Sequence, residues 1–494
     1  MKYKIFSPLG FFIVLYSSFI IPQWVSDPTN NLAICTADQT QRETEICRDN
    51  EGNVYVFWRD YRNEPSTFGG DIYAQKLNSN GEAQWLANGI SVVTKSAAQF
   101  DVKALYDGTD GIYFVWRETV DLFSDYKIYA QRIRLDGAKL WGSNGILLQN
   151  ISGKVLSHSV YVNENGDLLV SWQLGLSTPN TVDIYAQKIN RDGIIQWTNN
   201  GMIICNTTGR YVYGSKIISD QNGGAYVCWS DNRTDLSNFD IYAQRVGSNG
   251  NILWAQNGIA VCSNQGNQFT KHIISDNNGG TMIFWEDTQQ SSYSIYAQRI
   301  DSSGNKLLAA DGKVLYTTAT VFSQFEFIAD RNNEIFFLWT NSDKNTYVQK
   351  VDYNGNFMWV SEIPICTIQS SVSYLAACAS DVSGIIANWQ DNRNGNYDIY
   401  TQWISSDGIT MWENNGVPIC NEVSEQTDYC ICPDNFGGAV IAWADMRNGN
   451  FDIYTQNIDV RGELGSNKYF FQRSGLSKAI NLSLIHISEP TRPY

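Results

Sequence analysis

The sequence predicts an all-β fold: an eight-bladed β-propeller with four antiparallel strands per blade, its ring closed by an N-terminal strand. Three observations predict it. A phrase ending in Tyr-x-Gln recurs eight times, with its tyrosines at Tyr73, Tyr129, Tyr185, Tyr242, Tyr296, Tyr347, Tyr400 and Tyr454, 51 to 57 residues apart. Each copy holds four short apolar or β-branched runs bounded by Gly, Asn and Asp, and no copy shows a sustained helical period. The ends of the repeat region are also complementary. Gln23 to Cys35 has the form of a last strand with nothing before it, and the eighth copy lacks a last strand of its own.

In chain order, residues 1–22 have the parts of an export signal, with Lys2 and Lys4 preceding an apolar run from Ile5 to Ile21. Residues 23–465 are the propeller. Residues 466–482 form a C-terminal linker with no assigned structure. Residues 483–494 share nothing with the repeats, resemble translated sequencing-adapter DNA, and are set aside as a non-native tail.

One copy illustrates the repeat. Strand A covers Lys271–Ser275 and leads through the turn Asp276-Asn-Asn-Gly-Gly280 into strand B, Thr281–Trp285. Strand C is Ser294–Ile300, and strand D is clearest in the preceding copy as Gly258–Cys262. Strand C places Ile, Ala and Lys or Arg on one face and Tyr, Gln and an aliphatic on the other. Neither face is cleanly polar, which suits a sheet covered on both sides by neighbouring blades.

The 494 residues carry a net charge of −15, which argues against nucleic acids and anionic membranes as partners, since these require basic patches. Ten cysteines in an exported chain permit disulfides, and Cys35/Cys47, Cys366/Cys378 and Cys420/Cys432 share a spacing of twelve. Cys205 and Cys262 have Ile217 and Ile274 at the second position, so burial as small hydrophobes is the alternative. In an interlocked ring each pair spans an outermost strand and the next blade's innermost one, too far apart for a bridge. Blades phased D-A-B-C would permit the bridges and remove the interlock.

The copies Trp443-Ala-Asp-Met-Arg-Asn-Gly-Asn-Phe-Asp-Ile-Tyr454 and Asp240-Ile-Tyr-Ala-Gln-Arg245 resemble repeats of secreted bacterial β-propeller proteins, many of which carry a C-terminal sorting domain. The same phrases are similar to blades of periplasmic Tol-associated propellers. Ser405-Ser-Asp407-Gly-Ile-Thr-Met-Trp412 looks like a degenerate Asp-box of sialidase propellers, a structural hairpin in that family. The resemblance implies fold and surface delivery, and transfers no catalytic role.

Spacing separates frame from candidate site. In the first seven copies the strand C tyrosine is followed twelve residues later by Trp (Leu308 in one copy), whereas the strand B Trp precedes the tyrosine by fifteen residues at Trp58 and by eight at Trp339. Variation is therefore expected in the B–C loops, which share a face with the D–A connections. The ligand-face candidates are Arg62, Arg393 and Arg447 with Asp60, Asp391 and Asp445. Three such arginines on consecutive blades could clamp a carboxylate.

The competing structural reading follows from co-occurrence. Copies with Arg62, Arg233, Arg393 or Arg447 also carry Asp71, Asp240, Asp398 or Asp452, predicting a salt bridge that closes the B–C hairpin. Asp60, Asp231, Asp391 and Asp445 recur at one repeat position and read as turn formers. The eight glutamines of Tyr-x-Gln are expected to be buried inter-blade hydrogen-bonding groups.

No loop supplies the dense oxygen donors of a calcium site, and His158 and His272 stand alone in sequence. No catalytic set, metal or cofactor is predicted. The sequence thus reads as an exported, monomeric, non-catalytic module at the cell surface binding a glycan or protein. It would have no nucleic-acid partner and no membrane insertion after signal cleavage. A sialidase-like glycoside hydrolase and a purely structural spacer are the alternatives.

Overall fold

Eight four-stranded antiparallel sheets stand around one axis in a computed structural model that describes residues 24–465, apart from 64–68, 121–124, 177–180, 208–209, 290–291, 320–323 and 369. The export signal at 1–22, the linker and the C-terminal tail lie outside the described residues.

Blade 1 shows the order. Strands A to D are Gln41–Arg48, Val54–Asp60, Asp71–Leu77 and Ile90–Val93, each hydrogen-bonded to the next. Every A strand meets the A strands of the two adjacent blades, so these strands form the innermost circle. Blade 8 supplies A, B and C as Gln426–Pro433, Ala439–Asp445 and Asp452–Ile458, and its D strand is Leu32–Cys35 from the other end of the chain. Leu32 pairs with Thr455 and Ala33 with Tyr454, so closure rests on backbone hydrogen bonds between the two ends.

The blades cannot stand alone, because their apolar faces are completed only by neighbours. One core cluster joins Val54, Val56 and Trp58 of blade 1 to Ile34, Val440, Ala442 and Ile453 of blade 8. The eight strand B tryptophans, Trp58 to Trp443, are among the largest fully buried side chains. Each is worth roughly 2–3 kcal/mol of burial. In blade 1, Asn88 and Gly89 enter strand D with φ of 61° and 82°. A Cβ on Gly89 would stand 2.4 Å from Trp58 Cη2, so the Asn-Gly pair is required by both backbone and packing.

All ten cysteines are free, and the interlocked phase explains it. Cys35 lies on the outermost strand of blade 8 and Cys47 on the innermost strand of blade 1.

Candidate functional site

The arginines sit at the seams between blades. Asp60 ends strand B of blade 1 with its side chain fully buried, accepting from Trp58 Nε1 at 2.7 Å and from the Arg62 backbone N–H at 2.9 Å. The Arg62 chain curls back to the same carboxylate at 2.6 Å, donates to Asn88 O at 2.8 Å and lies 3.0 Å from Cys35 Sγ on the preceding blade. Its guanidinium covers Tyr73 at 4.1 Å.

The arrangement recurs at Arg233 with Asp231 and Cys205, at Arg393 with Asp391 and Cys366, and at Arg447 with Asp445 and Cys420. Burial works against the Asp445 carboxylate, but hydrogen bonds from Arg447 and Trp443 outweigh it and hold its pKa below normal.

This corrects a sequence expectation. The arginine's ion pair is with the aspartate two residues before it, not with the one preceding Ile-Tyr. Asp71 instead takes Asn63 Nδ2 at 3.1 Å, and Asp398 and Asp452 take Asn394 and Asn448. Arginine and Asp71 co-occur through the tyrosine between them: Arg62 stacks on Tyr73, and Asn63 bridges the Tyr73 hydroxyl to Asp71.

The glutamines are buried, but their bonds lie within a blade. Gln75 donates to Leu86 O and accepts from Trp85 N, clamping the C–D hairpin. In blade 8 the same residue, Gln456, donates to Val25 O at 2.8 Å and so binds the N-terminal segment.

Arg62, Arg393 and Arg447 therefore do not converge on one point. Each grips the outermost strand of the preceding blade, and the carboxylates of Asp60, Asp391 and Asp445 are closed to solvent.

The A strands build a different site. Their first halves bulge, leaving Glu43, Asp101, Tyr374 and Asp428 with φ of 50° to 56°. Such a conformation costs an L-residue about 1–2 kcal/mol, and strain of this kind gathers at functional positions. Three of these residues are linked across blades 8, 1 and 2. Asp428 accepts the Glu43 N–H at 3.0 Å, Glu43 accepts the Asp101 N–H at 3.0 Å, and Asp101 lies 3.3 Å from His158 Nδ1 on blade 3. Each carboxylate also has an arginine: Arg42 at 3.3 Å, Arg59 at 2.8 Å and Arg117 at 2.9 Å respectively. Burial opposes the Asp101 charge, yet His158 and Arg117 hold its pKa below normal.

Glu43, Asp101, Asp428 and Arg117, with Phe100, Tyr374 and Tyr429, line a cavity of about 850 Å³ in the central channel, at its B–C-loop end. Deeper in, the residues opposite the one before each strand B tryptophan form a girdle, one from each blade. In blade order they are Glu45, Lys103, Ser159, Lys216, His272, Glu326, Ala376 and Cys430. Glu45 and Lys103 pair at 3.2 Å, and His272 Nδ1 lies 3.4 Å from Glu326 Oε1. Burial pushes the Glu326 carboxyl up to about 8 although Lys216 opposes it, and lowers His272 to about 3. Both shifts favour the uncharged form.

The histidines that stand alone in sequence thus each face a carboxylate from an adjacent blade. Sequence reasoning passed over the girdle, although one signal marks it. The next inward-strand positions read Ile46, Ala104, Val160, Ile217, Ile273, Phe327, Ala377 and Ile431, so six polar girdle residues of the eight stand beside an apolar stripe.

No family model matches the chain, and no curated protein sequence does. Among solved structures, the chain is similar to the BP39L lectin from Burkholderia pseudomallei, with TM-score 0.48 and 12% identity over 77% of this chain and 100% of that one. It is also similar to an ulvan lyase of polysaccharide lyase family PL25, with TM-score 0.47 and 13% identity over 81% and 98%. An α-L-arabinanase of Penicillium chrysogenum gives TM-score 0.37 and 12% identity over 76% and 98%.

Proposed function

We propose that the protein is an exported, non-catalytic binding propeller that takes a saccharide chain into the B–C-loop end of its central channel. One observation carries this reading: Phe100, Tyr374 and Tyr429 stand among Glu43, Asp101 and Asp428 around a single cavity of about 850 Å³. Cavities of roughly 300–1,000 Å³ suit small ligands. A sugar ring offers apolar C–H faces edged by hydroxyl donors. Aromatic rings complement the faces, and each carboxylate keeps acceptor capacity beyond its arginine and backbone partners, having about four lone-pair sites. The exposed Tyr374 packs edge-on against Tyr429, with ring centroids 6.1 Å apart, and provides a wall at the entrance. In this reading Arg62, Arg393 and Arg447, with Asp60, Asp391 and Asp445, serve the frame rather than the ligand.

The full chain screened against an oligosaccharide array, followed by calorimetry, tests the proposal. A binding sugar should lose at least about tenfold in affinity in Tyr429→Ala or Phe100→Ala. Absence of any binding at millimolar sugar, or binding unchanged in both variants, overturns it. Export is tested by N-terminal sequencing of the secreted fraction, where a chain retaining Met1 would overturn cleavage after residue 22.

A further inference from the structure

We infer that the channel girdle is an anion subsite, and that the saccharide it takes is acidic, with a carboxylate on the sugar seated at Lys216. The inference rests on the saccharide reading above and adds its charge class.

Its starting point is the charge balance around the channel. Among the described residues, every other charged side chain named around the bulges and the girdle has a counter-ion. Asp428, Glu43 and Asp101 have Arg42, Arg59 and Arg117; Lys103 has Glu45; Lys271 has Glu286 at 3.5 Å. His272 and Glu326 face each other. Lys216 forms no ion pair, and its register opposite Cys228 places it in the girdle, between Ser159 and His272. Lys103, Lys271 and Glu326 all lie within electrostatic range of it, as they would for a group near the axis.

An unpaired ammonium set among apolar strands is unfavourable for folding. Burial, with Lys103 and Lys271 nearby, lowers its pKa. A bound anion would remove that cost, and the flanking residues suit a carboxylate. The Ser159 hydroxyl and neutral His272 offer donors on either side of Lys216, and Glu326 in its acid form offers another. The acidic bulges at the entrance are already matched by arginines, so they do not repel a monoanion as bare carboxylates would. They also leave acceptors for the hydroxyls of the same sugar. A dianion such as phosphate fits less well, because one ammonium does not balance it.

The test compares three probes on the full chain by calorimetry: an oligogalacturonide, its carboxyl-methyl ester and the neutral galacto-oligosaccharide of the same length. The expected result is at least tenfold tighter binding of the acid than of either neutral probe. Lys216→Met should remove that preference and leave neutral-probe affinity unchanged, while Lys216→Arg retains it. Equal affinity for acid, ester and neutral sugar overturns the anion subsite and leaves the saccharide reading standing. Failure of all three probes and of the wider array overturns both. The ester comparison needs no variant, so a poorly folding Lys216→Met does not shelter the proposal.

Discussion

Asp428, on the innermost strand of the last blade, accepts the backbone N–H of Glu43, on the innermost strand of the first, at 3.0 Å. The two residues are 385 positions apart in sequence, and their contact crosses the joint where the ring closes. Asp428 also takes Arg42 at 3.3 Å, while its backbone oxygen accepts the Thr44 hydroxyl. Asp428→Ala strips the Glu43 N–H and Arg42 of their acceptor. It should destabilise the protein by about 1–3 kcal/mol in urea unfolding, whereas Asp428→Asn, which keeps an acceptor oxygen, should cost less.

The seam arginines give a sharper expectation. Arg393→Ala leaves the Asp391 carboxylate, fully buried as a side chain, without its cation. The loss should be about 3 kcal/mol, and Arg393→Lys should not restore it, because lysine lacks the fork and the stacking over Tyr400 at 3.6 Å. Equal stability of the lysine variant and the wild type would contradict this account.

Glu326 makes stability depend on pH. Burial raises its folded pKa to about 8, so between its ordinary value of 4.5 and about 8 the folded state holds a proton that the unfolded state has released. Stability from this group therefore falls as pH rises through that window and changes no further above it. His272 acts in the opposite sense. With a folded pKa of about 3 against 6.5, it removes stability as pH falls from 6.5 towards 3. Glu326→Gln should accordingly gain about 2 kcal/mol at pH 8.5, a figure reduced because the Glu326 side chain stays 29% exposed, and gain nothing at pH 4. Lys216 and Lys271 share this part of the channel, so the unfolding profile is to be taken at fixed salt.

Removing the closing strand should change assembly before it changes secondary structure. Deletion of 24–35 exposes strand C of blade 8 along Ile453, Tyr454 and Thr455, leaving their backbone groups unpaired. Light scattering should show concentration-dependent oligomers, with the strand content of the circular dichroism spectrum largely kept. A deletion variant that remains monomeric at high concentration would argue against closure by this strand.

The ring was legible in the sequence because its frame is written eight times. Fixed spacing from Tyr to Trp marked the C–D hairpin, and the orphan strand near Cys35 marked the closure. The ion pairs were misassigned because co-occurrence does not reveal through which residue two side chains are linked. Arg62 and Asp71 vary together since both attend Tyr73. The channel site was hidden for another reason. Glu45, Lys103, Lys216, His272 and Glu326 lie one per repeat at a single register position, each unremarkable in its own copy. Only the circular arrangement brings His272 to Glu326 or Asp101 to His158.

The distribution of the Arg–Cys contacts has a mechanical meaning. They join blade 8 to 1, 7 to 8, 6 to 7 and 3 to 4. Three of the four flank the stretch where the circle lacks covalent continuity. Under load or heat, the first gap is therefore expected among the early or middle blades, where the polypeptide itself tethers the separated edges. An opening there can reclose like a hinged clasp, whereas one at the joint would let the two chain ends drift apart.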